Sequence, residues 1–136
     1  MKVAVAVIFD SEKRILITQR PLHAPHGGMW EFPGGKLEEQ ELPEAALIRE
    51  IKEEVGIDVL EHHFLGEIVH YYAAKKVSLL IFSIDKYQGK PVCREAQMDL
   101  RWVAADSLKD YHFPEANIQI IELIKKDYRA CSVLAE

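Results

Sequence analysis

Residues 35–57 read GKLEEQELPEAALIREIKEEVGI: a glycine, a charged loop, a proline and then a helix-like run that closes on Gly56. Pro43 suits the first helical turn, where its missing N–H costs nothing, and Glu44 sits favourably at the positive end of the helix dipole. Gly56 falls where a left-handed residue ends a helix. At about 100° per residue, Leu47, Ile48, Ile51 and Val55 are expected to share one buried face. Glu50, Glu53 and Glu54 share another, within an arc of roughly 100°.

Carboxylates three and four residues apart repel, each pair costing a helix about 0.2–0.5 kcal/mol. One reading of this acidic face is a solvated surface, partly neutralised by Arg49 and Lys52. The other is a hard-cation site, because Mg²⁺ or Mn²⁺ prefers carboxylate oxygens and removes the repulsion. The glycines upstream favour the second reading.

Gly35, five residues, Glu41, seven residues, Arg49-Glu50-Ile51, one residue, Glu53-Glu54, one residue, Gly56-Ile57 resembles the Nudix box at every fixed position. From average residue frequencies, a chance match is below about one in 10⁸ per starting position. The resemblance implies hydrolysis of a nucleoside diphosphate linked to another group, with a divalent metal ion. It also implies that Arg49 pairs with Glu41 to fix the loop. Two positions depart from the commonest form of the box. Gln40 stands where a glycine often precedes the glutamate. Leu42 stands where a Ser or Thr would cap the helix, which forgoes about 1 kcal/mol.

The 136 residues, 49% hydrophobic and 29% charged, are expected to form one domain over residues 1–136 with a real core. No apolar run approaches the roughly 18 residues of a membrane span, and the N-terminus lacks a signal-peptide pattern. The net charge of −5 argues against a nucleic-acid polymer as partner. A small polyanion held through metal remains compatible, because the ion reverses the local charge logic. Cys93 and Cys131 are expected to be free thiols in a reducing cytoplasm.

Upstream of the box, residues 3–9 read as a central strand, apolar on both faces, and residues 15–18 as the strand returning after an acidic turn. Arg20 follows; it is a surface cation or, as in MutT-like members of the Nudix family, a phosphate contact. Residues 21–29 form a loop in which His23 and His26 are expected to be exposed. Residues 30–36, WEFPGGK, run into the box. Phe32 could stack on a base or pack, and Lys36 could meet phosphate or be solvated. In MutT-like proteins the carbonyl at Gly34 can join the metal shell.

Downstream, residues 64–72 and 77–84 read as two strands, 87–98 as a long connection and 99–103 as a short strand. Glu95 lies in the connection. It is either a solvated carboxylate or the further metal-binding glutamate that MutT-like enzymes draw from this loop, a pattern that REAQ at 94–97 resembles. Pro114 is expected at the first position of a last helix whose buried face carries Ile120, Ile121, Ile124 and Tyr128. Asn117 points inward with Ile120 and Ile121, so its amide needs partners. It serves as a structural hydrogen bond or as a reader of the base, since FPxAN is similar to MutT-like sequences specifically.

The expected fold is α/β: an α/β/α sandwich with a mixed, curved β-sheet between the Nudix helix and the C-terminal helix. The expected reaction is hydrolysis of a nucleoside triphosphate to monophosphate and pyrophosphate, with 8-oxo-dGTP as the substrate the resemblance favours. Mg²⁺ or Mn²⁺ would be held by Gly34, Glu50, Glu53, Glu54 and Glu95. Glu50 is favoured as the base, with Glu95 second. Hydrolysis of CTP, a dinucleoside polyphosphate or ADP-ribose is the alternative; a non-catalytic nucleotide-sensing module is a third, disfavoured by the intact box. The chain is expected to work as a monomer or weak dimer.

Overall fold

The computed structural model describes residues 1–126, so Tyr128 and Cys131 lie outside the described residues. The elements follow in the order β1 (Lys2–Ile8), β2 (Ile15–Gln19), β3 (Trp30–Glu31), β4 (Gly34–Lys36), α1 (Pro43–Val55), β5 (Asp58–Tyr72), β6 (Lys75–Gln88), β7 (Asp99–Val103), a 3₁₀ turn and α2 (Glu115–Lys126). The expected mixed sheet is present but divides in two. One sheet has the order β4-β1-β6-β5, the other β3-β2-β7. β1 runs parallel to β6 and antiparallel to β4, whereas β2 pairs antiparallel with both its neighbours. Residues 30–36, which run into the box, form two short strands on either side of Phe32-Pro33, and these join different sheets.

β1 explains how two cores coexist. Its sequence alternates, so successive side chains face opposite ways. Val5 and Val7 enter a cluster with Ile17, Phe32, Leu79, Ile120 and Ile124, which α2 covers. Ala4, Ala6 and Ile8 enter a second cluster with Leu47, Ile51, Val55 and Phe82, which α1 covers. The alanines keep the sheet surface low under α1, so the helix approaches its strands closely.

α1 opens without a side-chain cap at Leu42, as its sequence implies, with Pro43 in its first turn. Gly56 closes it at φ 80°, its N–H donating to the carbonyls of Ile51 and Lys52 at 3.2 and 3.1 Å. The buried residues are Ala46, Leu47, Ile51 and Val55; Ile48, expected inside, is 42% exposed. On a wheel of about 100° per residue, Ala46 and Val55 stand about 180° apart, and Glu50 and Glu54 fall between them. The helix is therefore rolled to set those two carboxylates toward the sheet. Ile48 is turned out in consequence.

β5 begins at Asp58 rather than residue 64, and β6 continues through Tyr87 and Gln88, which had been expected in the connection. Register shifts occur between Val59 and Glu61, Glu61 and His63, and Phe64 and Gly66. Such bulges bend an edge strand and break its alternation, which hid its first half from a period-two reading. His62, His63 and His70 all lie on this strand. Pro114 stands just before α2, its carbonyl accepting the N–H groups of Asn117 and Ile118 at 3.0 and 3.3 Å.

Candidate active site

Arg49 organises the loop and the acidic face together. Its Nε and Nη2 donate to the two carboxylate oxygens of Glu41 at 2.9 and 2.8 Å, a bidentate fork. Nη2 also donates to the Lys36 carbonyl at 3.2 Å, and Nη1 donates to Glu50 at 2.9 Å and Glu53 at 3.3 Å. Glu41 accepts the Glu38 N–H at 2.8 Å, so one carboxylate ties the loop backbone to the helix. The Arg49 hydrogen bond chiefly, and that of Glu38, lower the Glu41 carboxyl to about 2. The pairing of Arg49 with Glu41 is thus present as the box implies.

The acidic residues occupy different environments. Glu53 is exposed, while Glu50 and Glu54 are half-buried against β4. A Cβ built on Gly35 would overlap the Glu50 carboxylate, so only glycine leaves that oxygen pair its place. The Gly34 N–H donates to Glu54 Oε1 at 3.4 Å. Burial above all, then the charges of Glu31 and Glu50, push the Glu54 carboxyl up to about 9. With no cation bound, that crowding favours the protonated form of Glu54 beside Glu50.

Glu95 lies exposed on the 89–98 loop, which is fastened to the end of α1. The Arg94 N–H and the Gln97 Nε2 both donate to the Glu54 carbonyl at 3.0 Å, and the Val92 N–H donates to the Val55 carbonyl at 3.0 Å. Glu50, Glu53, Glu54 and the Gly34 backbone thus gather beside α1, with the Glu95 loop attached to the same helix. Among the described residues no three carboxylates, histidines or cysteines converge as a ready metal cage. Arg49 draws Glu50 and Glu53 to itself. The donor set nevertheless fits a hard divalent cation: oxygens only, crowded enough that burial and the neighbouring carboxylates raise the Glu54 carboxyl.

On the α2 side of β1 a cavity of about 240 Å³ is lined by residues including Val5, Glu31, Phe32, Gly34, Tyr72 and Asn117. It reaches the acidic site through Glu31 and Gly34. Asn117 is half-buried, and its Oδ1 accepts the Phe32 N–H at 3.3 Å; its Nδ2 has no acceptor among the described residues. The structural hydrogen bond foreseen for Asn117 is present, and the amide NH₂ is left over beside the cavity. Phe32 is 4% exposed and stacked on Phe113 at 5.4 Å and 14°, so its ring packs. Lys36 is exposed. Arg20 Nη1 meets Glu31 at 2.7 Å and its Nε donates to the Pro25 carbonyl at 2.6 Å, which makes it a partnered cation rather than a free one.

Sequence reasoning missed three residues here. Glu31 was passed over as part of WEFPGGK, yet it borders both the cavity and Glu54. Tyr72 lines the cavity from the end of β5, and Gln97 joins the loop to α1. Only register could have signalled Glu31, which stands opposite Thr18 in the β2–β3 pair.

A carboxylate-bearing helix set beside a cavity of about 240 Å³, with a glycine pair between them, defines the class of site that Nudix hydrolases carry. Residues 4–123 match the NUDIX domain model, and the chain belongs to that family. It is 41% identical over 90 residues to the 8-oxo-dGTP diphosphatase of Proteus vulgaris, spanning 66% of this chain and 80% of that one. It is 31% identical to the 8-oxo-dGTP diphosphatase of Escherichia coli, over 93% and 97% of the two chains. The CTP pyrophosphohydrolase of the same organism is 30% identical over 87% of each chain. The crystal structure of a MutT Nudix hydrolase from Burkholderia pseudomallei superposes with a TM-score of 0.82 at 30% identity, covering 90% of this chain and 96% of that one. Divalent metal is typical of the family. No helix among the described residues is long and apolar enough to cross a membrane.

Proposed function

We propose that this chain, as one domain, hydrolyses 8-oxo-dGTP to 8-oxo-dGMP and pyrophosphate with Mg²⁺ or Mn²⁺. The observation that carries the substrate choice is Asn117, placed on the cavity with an amide NH₂ that has no acceptor among the described residues and an oxygen held by Phe32. Relatives with this activity at 41% and 31% identity support it. A specific observation also favours a second reading: the CTP-hydrolysing relative is nearly as similar, at 30%.

Glu50, Glu53, Glu54, Glu95 and the Gly34 carbonyl would hold the metal. When bound, a divalent cation lowers the pKa of water and neutralises phosphate oxygens. Glu50 accepts the proton of the attacking water, with Glu95 as the second choice. Arg49 keeps Glu50 oriented while fastened to Glu41. Arg20 leaves Glu31 for the nucleotide phosphates, and Lys36 adds a second positive charge there. Phe32 forms the cavity wall, and Asn117 donates its NH₂ to O6 of the base. In the balanced reaction, water oxygen bonds to the β-phosphorus, the bond from that phosphorus to the α–β bridging oxygen breaks, and the monophosphate leaves.

The test is kcat/KM for 8-oxo-dGTP, dGTP and CTP with each metal, followed by hydrolysis in ¹⁸O-water. A clear preference for 8-oxo-dGTP and label in pyrophosphate are expected. A preference for CTP would replace the substrate assignment, and direct release of orthophosphate would overturn the reaction class.

A further inference from the structure

We infer that Gln97 is the positioning residue for Glu95: its side-chain amide sets the distance between Glu95 and the acidic face of α1. Both ends of that amide are occupied. Oε1 accepts the backbone N–H of Glu95 at 2.8 Å, and Nε2 donates to the backbone carbonyl of Glu54 at 3.0 Å. The amide therefore joins the backbones of two of the carboxylate residues assigned above to the metal. A group at the metal's outer shell works by fixing where an inner ligand stands.

The surrounding backbone needs such a clasp. Ala96, between the two residues, has φ 49°, a left-handed conformation that costs an alanine free energy. Arg94 and Met98 bracket the turn, their N–H groups donating to the carbonyls of Glu54 at 3.0 Å and Gln19 at 2.9 Å. Between those two anchors Glu95 is exposed and makes no described side-chain bond, so the contact through Gln97 governs its position. Glutamine meets both demands because its amide pairs one acceptor with one donor. Glutamate would set a second oxygen against the Glu54 carbonyl.

This inference rests on the assignment of Glu95 to the metal, and the experiment separates the two. Gln97→Ala, Gln97→Glu and Glu95→Gln are compared with the unaltered protein in three measurements: Mn²⁺ titration by electron paramagnetic resonance, amide hydrogen exchange without metal, and steady-state kinetics. In both Gln97 variants the Mn²⁺ concentration for half-saturation is expected to rise about tenfold. kcat should fall while KM changes little, and the thermal midpoint without metal should hold. Exchange at the Glu95 amide should accelerate in Gln97→Ala, whereas in Gln97→Glu that bond is kept and only the link to Glu54 is lost. If Glu95→Gln weakens Mn²⁺ binding and neither Gln97 variant does, the inference is overturned and the ligand assignment stands. If Glu95→Gln leaves the titration unchanged, the ligand assignment fails and the inference falls with it.

Discussion

Gly35 is the space in which the Glu50 carboxylate sits: a Cβ there would coincide with the carboxylate itself. The glycine is thus read best as a packing partner of a helix residue fifteen positions later. Gly35→Ala should displace Glu50 and lower kcat at least about 100-fold, as small misplacements in an active site do. Stability should change by less than about 1 kcal/mol, because the displaced atoms are the far end of a flexible side chain. Thermal unfolding alongside single-turnover kinetics checks both; full activity in a folded variant would mean that Glu50 is not needed where it stands.

Glu54→Gln and Glu53→Gln should each abolish most turnover while leaving the fold intact. The two differ without metal. Glu54 is half-buried with Glu31 and Glu50 charges nearby, so an uncharged amide there should raise the metal-free unfolding midpoint above neutral pH. Exposed Glu53 should give a smaller change. Near-normal turnover in both variants would remove the acidic face from the mechanism.

The Glu54 carboxyl also predicts a pH dependence. Its value rises on folding from an ordinary 4.5 to about 9, so folding binds a proton. That contribution to metal-free stability is complete below pH 4.5 and declines as pH rises through 9. Metal must displace the same proton, so apparent Mn²⁺ affinity should increase toward pH 9, by up to about tenfold per unit. Calorimetric titration in buffers of different ionisation enthalpy would register the released proton. An affinity that is flat over this window would show Glu54 already ionised.

Gln40 has φ 63°, which explains why a glycine is the commoner residue before the box glutamate. Gln40→Gly should stabilise the protein by about 1 kcal/mol, relieving the left-handed strain. For a chain of this length that corresponds to a rise of roughly 3 °C in Tm. A lowered Tm would mean that the glutamine side chain contributes more than its backbone costs.

Oxidation at C8 turns guanine N7 from an acceptor into an N–H donor beside the O6 acceptor. The Asn117 amide offers NH₂ to O6 and the second lone pair of its oxygen to N7–H. Asn117→Ala should reduce the preference for 8-oxo-dGTP over dGTP by about 1–3 kcal/mol, with metal affinity unchanged. Competitive binding of the two monophosphates measures it directly. If the preference survives, Asn117 serves Phe32 alone.

The helix, its caps and its acidic residues were legible because each depends on local sequence: Pro43, Gly56 and the spacing of the glutamates. The roll of α1 was not. Apolar counting placed Ile48 inside, whereas the glycine pair of β4 and the alanines of β1 admit Glu50 and Glu54 instead. The division into two sheets was equally hidden, since the short strands on either side of Phe32-Pro33 carry no periodicity of their own. Gln97 escaped for another reason: its partner is a carbonyl, which every residue possesses and no sequence advertises.

β1 is a party wall, and its alternation gives the molecule two separately adjustable rooms. Val3 and Val5 line the cavity that would receive a base, whereas Ala4 and Ala6 lie beneath the helix that bears the carboxylates. A methyl added at an odd position reshapes what the protein admits; one added at an even position lifts the hydrolytic machinery off its seat. Neighbouring positions in one seven-residue strand therefore reach different parts of the molecule. Along Lys2–Ile8, Val3 and Val5 bear on the cavity and Ala4 and Ala6 on the seat of the helix.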